Sequence, residues 1–157
     1  MSTFFGQIEF LRPMIEPSTL ADGRGGIFSW IPEDEIREFS MLYFFPGKVR
    51  GNHYHPEFVE YFLVVEGEIV LTTVDALTNQ QLRTLCGKGS CFRTPPSISH
   101  SVQAITNATC VSLITKPWNS VKNPIIFSDL TPFDPEYLEY VKDSKSSPTV
   151  SDSLKGD

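Results

Sequence analysis

Histidine is scarce in this chain, with three in 157 residues, and two of them, His53 and His55, are only one residue apart. Positive charge is also limited, since 13 Lys and Arg stand against 19 Asp and Glu and the net charge is −6. The basic residues form no cluster. This pattern argues against a nucleic-acid or anionic-membrane surface, so neither is expected as a partner.

Long apolar runs are missing as well. No stretch reaches the roughly 18 apolar residues of a membrane span, and no basic segment followed by a long apolar one opens the chain. Cysteine is limited to Cys86, Cys91 and Cys110, an odd number without C-x-x-C spacing. We therefore expect a cytoplasmic protein whose cysteines are reduced thiols in a core, without a catalytic role.

Short runs of strand-forming residues are abundant. Twelve prolines and ten glycines separate runs rich in Val, Ile, Phe, Thr and Tyr, which favours one all-β domain over residues 1–141. An N-cap and a proline at 134–135 predict a short C-terminal helix over 134–141, followed by a polar, disordered tail over 142–157. The predicted strands are 7–11, 26–31, 37–45, 58–65, 68–74, 81–85, 90–93, 100–105 and 109–115.

The strongest chemical signal lies between residues 47 and 67. On a strand, His53 and His55 point to the same side and can share one ion. Glu60 lies in the apolar run 58–65, where a carboxylate is costly unless a metal ion or a histidinium compensates it. Solvated surface histidines are the alternative interpretation, which Glu60 makes less favourable. Gly67 predicts a tight turn that joins 58–65 and 68–74 as a hairpin.

This segment resembles the first motif of the cupin superfamily in full. The motif residues, at the motif's spacing, are Gly47, His53, His55, Glu60 and Gly67. The first motif is highly specific, so the chain is identified as a cupin by resemblance.

The second cupin motif is matched in part. Gly89 and Pro95 have the motif's spacing, and His100 stands where the family has its third histidine ligand. Ser97 replaces the usual glycine and Ala104 the usual asparagine. These departures affect a turn and a secondary polar position, and leave the ligand in place.

The resemblance implies a double-stranded β-helix, a jelly-roll barrel with the site in its mouth. It also implies a divalent metal ion held by His53, His55, Glu60 and His100, with one or two positions left for water or substrate. Zinc, iron, manganese and nickel all suit this set of ligands. Cupins that keep the ligands and work without metal also exist.

Two further strings are similar to the nucleotide-sugar branch of the cupins. Residues 22–28 resemble the D-x-R-G-x-F segment of dTDP-4-dehydrorhamnose 3,5-epimerases. Residues 50–55 resemble the R-G-x-H-x-H string of 3,4-ketoisomerases and the R-G-N-H-Y-H string in the cupin domain of capsular polysaccharide reductase-epimerases.

That second resemblance assigns roles to individual residues. It implies that Arg24, Arg50 and Asn52 contact the phosphates or sugar of a nucleotide-sugar substrate. It also implies that His53, with His55 beside it, is the catalytic base, and a histidine suits removal of a proton next to a ketone. Surface ion pairs are the alternative role for the two arginines.

The epimerases place a tyrosine acid after the second motif, but residues 101–117 contain none. Tyr43 and Tyr54 are the substitutes to test as proton donors. The chain also keeps the full metal set, which those epimerases usually lack.

Three functions follow from these residues. The leading hypothesis is an isomerase or epimerase of a nucleotide-activated keto-deoxy sugar in polysaccharide biosynthesis. The alternatives are a metal-dependent cupin enzyme on another small molecule (dioxygenase, decarboxylase or isomerase) and a non-catalytic small-ligand binding cupin. The apolar outer face of 58–65 needs a cover, and we expect a homodimer.

Overall fold

Antiparallel β-strands dominate the structure, a computed structural model that describes residues 2–15, 22–128 and 130. One turn of 3-10 helix, Trp118–Ser120, accompanies them. The strands are β1 (Thr3–Phe5), β2 (Ile8–Leu11), β3 (Met14–Ile15), β4 (Phe28–Ser29), β5 (Glu38–Phe44), β6 (Val49–Tyr54), β7 (Glu60–Glu66), β8 (Ile69–Val74), β9 (Gln81–Cys86), β10 (Cys91–Thr94), β11 (His100–Ala104), β12 (Ala108–Ile114) and β13 (Ile126–Phe127).

Two antiparallel sheets form the barrel. The larger sheet has the strand order β1-β2-β10-β7-β12-β5, the smaller has the order β13-β6-β11-β8-β9, and β3 and β4 form a separate pair. The all-β jelly-roll prediction is confirmed. The predicted helix over 134–141 and the predicted tail over 142–157 lie outside the described residues. No helix in the described ranges has the length and apolarity needed to cross a membrane.

The core lies between the two sheets because side chains alternate along each strand. In β12, Ala108, Cys110, Ser112 and Ile114 are buried, and the residues between them are partly exposed. The core also takes its members from both sheets: Ile8, Phe44, Phe62, Val64, Phe92, Ile69, Leu71, Cys86, Val102 and Ala104.

The cysteines lie in the core as free thiols, as the sequence predicts. Cys86, Cys91 and Cys110 are buried free thiols. Burial raises the pKa of each to about 12, which keeps the thiols protonated and unreactive.

The predicted hairpin of 58–65 with 68–74 is wrong. β7 pairs with β10 and β12 in the larger sheet, whereas β8 pairs with β9 and β11 in the smaller one. The turn at Gly67 therefore carries the chain from one sheet to the other. A tight turn signals a reversal of the chain, but it does not say which strands share hydrogen bonds.

The strand that carries His53 is absent from the predicted strands. β6 contains Gly51 and Asn52, and glycine and asparagine are depleted in strands. Strand propensity therefore does not predict β6. The structure shows instead that both residues have positive φ, 96° for Gly51 and 55° for Asn52, as part of a bulge.

Gly67→Ala tests the cross-sheet turn. Gly67 has φ 84°, and a Cβ there would collide with the carbonyl oxygen of Asn107. Gly47 is the matched control, because its φ is 79° but a Cβ there meets nothing within 4 Å. We expect Gly67→Ala to lower the free energy of unfolding by at least ~1 kcal/mol more than Gly47→Ala in urea denaturation. Equal losses would show that the close approach to Asn107 does not matter.

Candidate functional site

Three histidines meet on the inner face of the smaller sheet. His53 in β6 is the cross-strand partner of His100, the first residue of β11, and His55 follows the end of β6. One ring nitrogen from each histidine lies within 4.8 Å of the other two. His55 and His100 are each 3% exposed, and His53 is partly exposed. His53 is thus the member of the cluster that a solute reaches most easily.

A β-bulge brings Arg50 to the same face as His53. The register of β6 against β11 shifts between His100 and Ser101, so Asn52 is an extra residue in β6. Without it, Arg50 and His53 would point to opposite faces, because they are three residues apart. With it, Arg50 pairs with the core residue Val102, and its guanidinium carbon lies 5.5 Å from the centre of the Phe44 ring.

Gly51 allows this bulge to form. Its φ is 96°, and a Cβ there would lie 2.8 Å from the carbonyl oxygen of His100. A side chain at Gly51 would therefore push apart the two strands that carry His53 and His100.

Glu60 faces the histidines from the larger sheet. Its Oε1 lies 3.4 Å from Nε2 of His100 and 3.6 Å from Nε2 of His55. Its Oε2 accepts a 2.7 Å hydrogen bond from the hydroxyl of Ser112, which lies on the neighbouring strand β12. Ser112 thus orients the carboxylate so that one oxygen is directed at both histidines.

The other nitrogen of each buried histidine is anchored to the backbone. Nδ1 of His55 donates to the carbonyl of Pro124 at 2.9 Å, and Nδ1 of His100 donates to the carbonyl of Ile98 at 3.0 Å. These bonds place the proton on Nδ1 and leave Nε2 of both rings directed at Glu60. Histidines that bind metals show the same arrangement.

This donor set fits a divalent metal ion. Two neutral Nε2 atoms would each present a lone pair to a carboxylate oxygen, which is unfavourable without a positive charge between them. A proton on a histidine or a metal ion supplies that charge. Ligands held about 2.1 Å from one ion are about 3.0–3.4 Å apart, close to the nitrogen–oxygen distances at Glu60. Nε2 of His55 is also buried without a well-formed hydrogen bond among the described residues.

The family of this chain is established by its sequence. The model of the polysaccharide biosynthesis C-terminal domain matches residues 20–122, about two thirds of the chain. The chain belongs to this family. No curated protein matches it significantly in sequence.

Several solved structures share the fold of this chain at low sequence identity. The dTDP-4-dehydrorhamnose 3,5-epimerase of Sulfolobus tokodaii is 20% identical, with TM-score 0.63 over 82% of this chain and 90% of that one. A 3,4-ketoisomerase from Helicobacter canadensis is 16% identical, with TM-score 0.67 over 88% and 100%. The capsular polysaccharide assembling protein CapF of Staphylococcus aureus is 19% identical, with TM-score 0.55 over 75% and 32%. These likenesses confirm the cupin fold and the resemblance to these groups.

The predicted tyrosines do not join the histidine cluster. Tyr43 is 61% exposed and lies on the outer face of β5, between the exposed Met41 and Phe45. Tyr54 follows His53 in β6, so strand alternation directs it to the opposite side of the sheet.

Two predicted substrate contacts are also found elsewhere. Arg24 is exposed and forms an ion pair with Asp22, and no contact between Arg24 and the histidines occurs in the part of the chain that the structure describes. Asn52 acts through its backbone, since its carbonyl accepts a hydrogen bond from the amide of Ser128 at 2.8 Å.

Several residues at the site are not predicted from the sequence. Phe58 stacks on His55 with ring centres 4.6 Å apart, and Trp118 contacts both rings at 6.2 and 6.4 Å. Ser112 and Thr94 flank Glu60, and the buried hydroxyl of Thr94 has no hydrogen-bond partner among the described residues. A signal existed for Ser112, since a polar residue at an inward position of the predicted strand 109–115 is unusual.

Burial and Glu60 have opposing effects on the histidine pKa values. Burial is the main influence on His53, and together with the charges of His100 and His55 it lowers the pKa of His53 to about 4. Burial also opposes the charge on His55, but the nearby Glu60 carboxylate outweighs it and raises the pKa of His55. Burial favours the neutral form of Glu60, but the nearby rings of His100 and His55 hold its pKa well below the usual range.

Glu60→Gln tests this pairing in the metal-free protein. Without the carboxylate, burial dominates, so we expect the pKa of His55 to fall below its usual 6.5. In the wild type, the charged pair contributes stability that is complete below pH 6.5 and is lost as pH rises through the raised pKa of His55. The free energy of unfolding should therefore fall above pH 6.5 in the wild type, and this fall should be absent in the variant.

The measurements are histidine NMR titration and urea denaturation at a series of pH values. A His55 pKa that is the same in both proteins would contradict the role given to Glu60.

Proposed function

We propose that this chain is an isomerase or epimerase of a nucleotide-activated keto sugar in polysaccharide biosynthesis. It would act by removing a proton from a carbon next to the ketone. Membership of the polysaccharide biosynthesis family supports a role in that pathway class. The fold shared with an epimerase and a ketoisomerase is consistent with isomerisation of a sugar. The observation that carries the proposal is the His53–His55–Glu60–His100 cluster with Arg50 on the same inner face.

We further propose that the cluster holds a divalent metal ion. His53, His55 and His100 would supply three nitrogens and Glu60 one oxygen, a set that zinc, iron, manganese or nickel accepts. When bound, such an ion polarises the ketone and stabilises the negative charge of the enolate. Ser112 and the carbonyls of Pro124 and Ile98 support the proposal, because they hold the ligands in the orientation described above.

Arg50 is the proposed contact for the diphosphate. An arginine binds phosphate oxygens in a bidentate manner, and a protein of net charge −6 needs such a local positive charge to hold a nucleotide sugar. Arg50 is exposed, and its guanidinium lies over the Phe44 ring. Arg24 is the second candidate, although it would have to give up part of its ion pair with Asp22.

His53 has two proposed roles that exclude each other. Without an ion, its lowered pKa of about 4 leaves it neutral and able to accept a proton at neutral pH. When it coordinates an ion, the lone pair is occupied and His53 cannot also be the base.

The complete ligand set also supports a second candidate function, a metal-dependent cupin enzyme that acts on another small molecule. The cupin scaffold hosts many chemistries, so the substrate has to be tested directly.

The direct test is proton NMR of the metal-replete protein with dTDP- and UDP-linked 4-keto-6-deoxy sugars in deuterated water. We expect the signals of protons next to the ketone to disappear through exchange with solvent, and the product spectrum to separate epimerisation from ketoisomerisation. Absence of exchange with every one of these sugars would contradict the proposed function.

Arg50→Ala should weaken binding of the nucleotide sugar about tenfold or more while metal content is unchanged, because a charge-assisted contact to the phosphates is lost. Calorimetric titration measures the affinity. Arg37→Ala is the matched control, since Arg37 is an exposed arginine adjacent to β5 whose carboxylate partner, Glu35, is 3.9 Å away. Equal affinity in the Arg50 variant and the control would argue against a phosphate contact at Arg50.

The outer face of 58–65 is partly covered within the chain, since Tyr61 is 2% exposed and its hydroxyl donates a hydrogen bond to Asp34. We therefore propose a homodimer through the outer face of β5 instead. This strand forms one edge of the larger sheet, and Phe39, Met41 and Tyr43 are 77%, 60% and 61% exposed on that face. A second copy would cover both the apolar side chains and the edge of β5, which pairs with no further strand among the described residues.

Met41→Lys should shift the protein from dimer to monomer in light scattering coupled to size exclusion, because it places a charge in the apolar contact. Leu77→Lys is the control, since Leu77 is 90% exposed in the turn between β8 and β9 and lies away from β5. A wild-type monomer would contradict the dimer.

A further inference from the structure

We propose that Glu38 is the base that removes and returns the substrate proton when the histidine cluster holds a metal ion. The inference rests on the proposed function and assigns its proton-transfer group.

The need for another base follows from the cluster itself. A histidine or carboxylate that donates its lone pair to an ion is not free to accept a proton. If His53, His55, His100 and Glu60 are all ligands, proton transfer falls to a group outside the cluster. That group has to lie on an inner face, where it can reach a substrate bound beside the cluster.

Strand register places Glu38 on this inner face. Glu38 pairs with Ile114 in β12, and Ile114 pairs in turn with Glu60 in β7. Cross-strand partners point to the same side, so Glu38 faces the barrel interior in the same row as Glu60. The two residues are two strands apart, about 10 Å across the sheet.

A second contact connects Glu38 with the site. Its Oε2 accepts a 2.6 Å hydrogen bond from the backbone amide of Trp118, whose ring contacts His55 and Phe58. The carboxylate is thereby held next to the residue whose ring contacts the cluster. Its Oε1 is left for a proton.

Four other titratable side chains are less suited. Tyr43 and Tyr54 point away from the interior. Cys86 and Cys110 face the core, but burial raises the pKa of both to about 12. Glu38 is partly exposed and therefore accessible to a solute.

The proposed step conserves atoms and charge. The C–H bond next to the ketone breaks, its proton moves to Oε1 of Glu38, and its electron pair forms the enolate. Glu38 is then a neutral carboxylic acid. When the proton of the neighbouring hydroxyl moves to the enolate oxygen, Glu38 returns its proton on the same face to the former ketone carbon, and the product is the ketoisomer. Return to the original carbon on that face regenerates the substrate. Exchange of the acid proton with solvent before this return accounts for incorporation of deuterium.

Glu38→Gln separates the catalytic role from the structural one, because the amide oxygen still accepts the Trp118 hydrogen bond. We expect exchange next to the ketone to fall at least ~100-fold, with metal content, melting temperature and nucleotide-sugar affinity unchanged. Glu57→Gln is the matched control. Glu57 accepts a similar bond from the backbone amide of Asn123 at 2.7 Å, and its substitution should leave exchange intact.

The outcomes distinguish this inference from the proposed function. Exchange in the wild type that persists in metal-replete Glu38→Gln would overturn the role of Glu38 and leave the proposed function standing. No exchange in the wild type would overturn both. If the glutamine variant loses metal or stability, Glu38→Ala with added formate decides: restored exchange supports the base, and no restoration overturns it.

Discussion

A buried carboxylate facing two histidines is the constraint on which the site depends. Glu60 can lie between the sheets only with a positive charge nearby, and His55 and His100 either carry that charge as protons or hold it as a metal ion. The backbone carbonyls of Pro124 and Ile98 orient both rings, and Ser112 orients the carboxylate. The cluster is therefore fixed by parts of the chain that are far apart in sequence.

The jelly-roll topology explains why these parts meet. His53 and His100 face each other on two paired strands of the smaller sheet, whereas Glu60 and Ser112 come from the larger one. The site is thus a contact between sheets and forms only when both are folded. The bulge at Asn52 adds Arg50 to this face, so one extra residue in a strand places a positive charge beside the cluster.

The candidate ligands can be predicted from the sequence because histidine is rare in this chain and Glu60 interrupts an apolar run. The sequence does not single out Glu38, Ser112 or Trp118. Strand register places Glu38 and Ser112 on the inner face, and the segment after β12 brings Trp118 to Glu38. Prediction from the sequence also misplaces the turn at Gly67, since local turn chemistry does not determine whether a chain returns to the same sheet or crosses to the other. Residue type alone also does not give the face of a strand, and the structure places Tyr43 on the outer face of β5.

The most direct test of the account is calorimetric titration of the metal-free protein with Zn²⁺ in buffers of different ionisation enthalpy. The account predicts one ion per chain with release of a proton near neutral pH, because His55 carries a raised pKa until the ion replaces its proton. It also predicts that binding is lost in Glu60→Ala and His100→Ala. Absence of binding in the wild type, or binding that survives both substitutions, would contradict the claim that the cluster is a metal site.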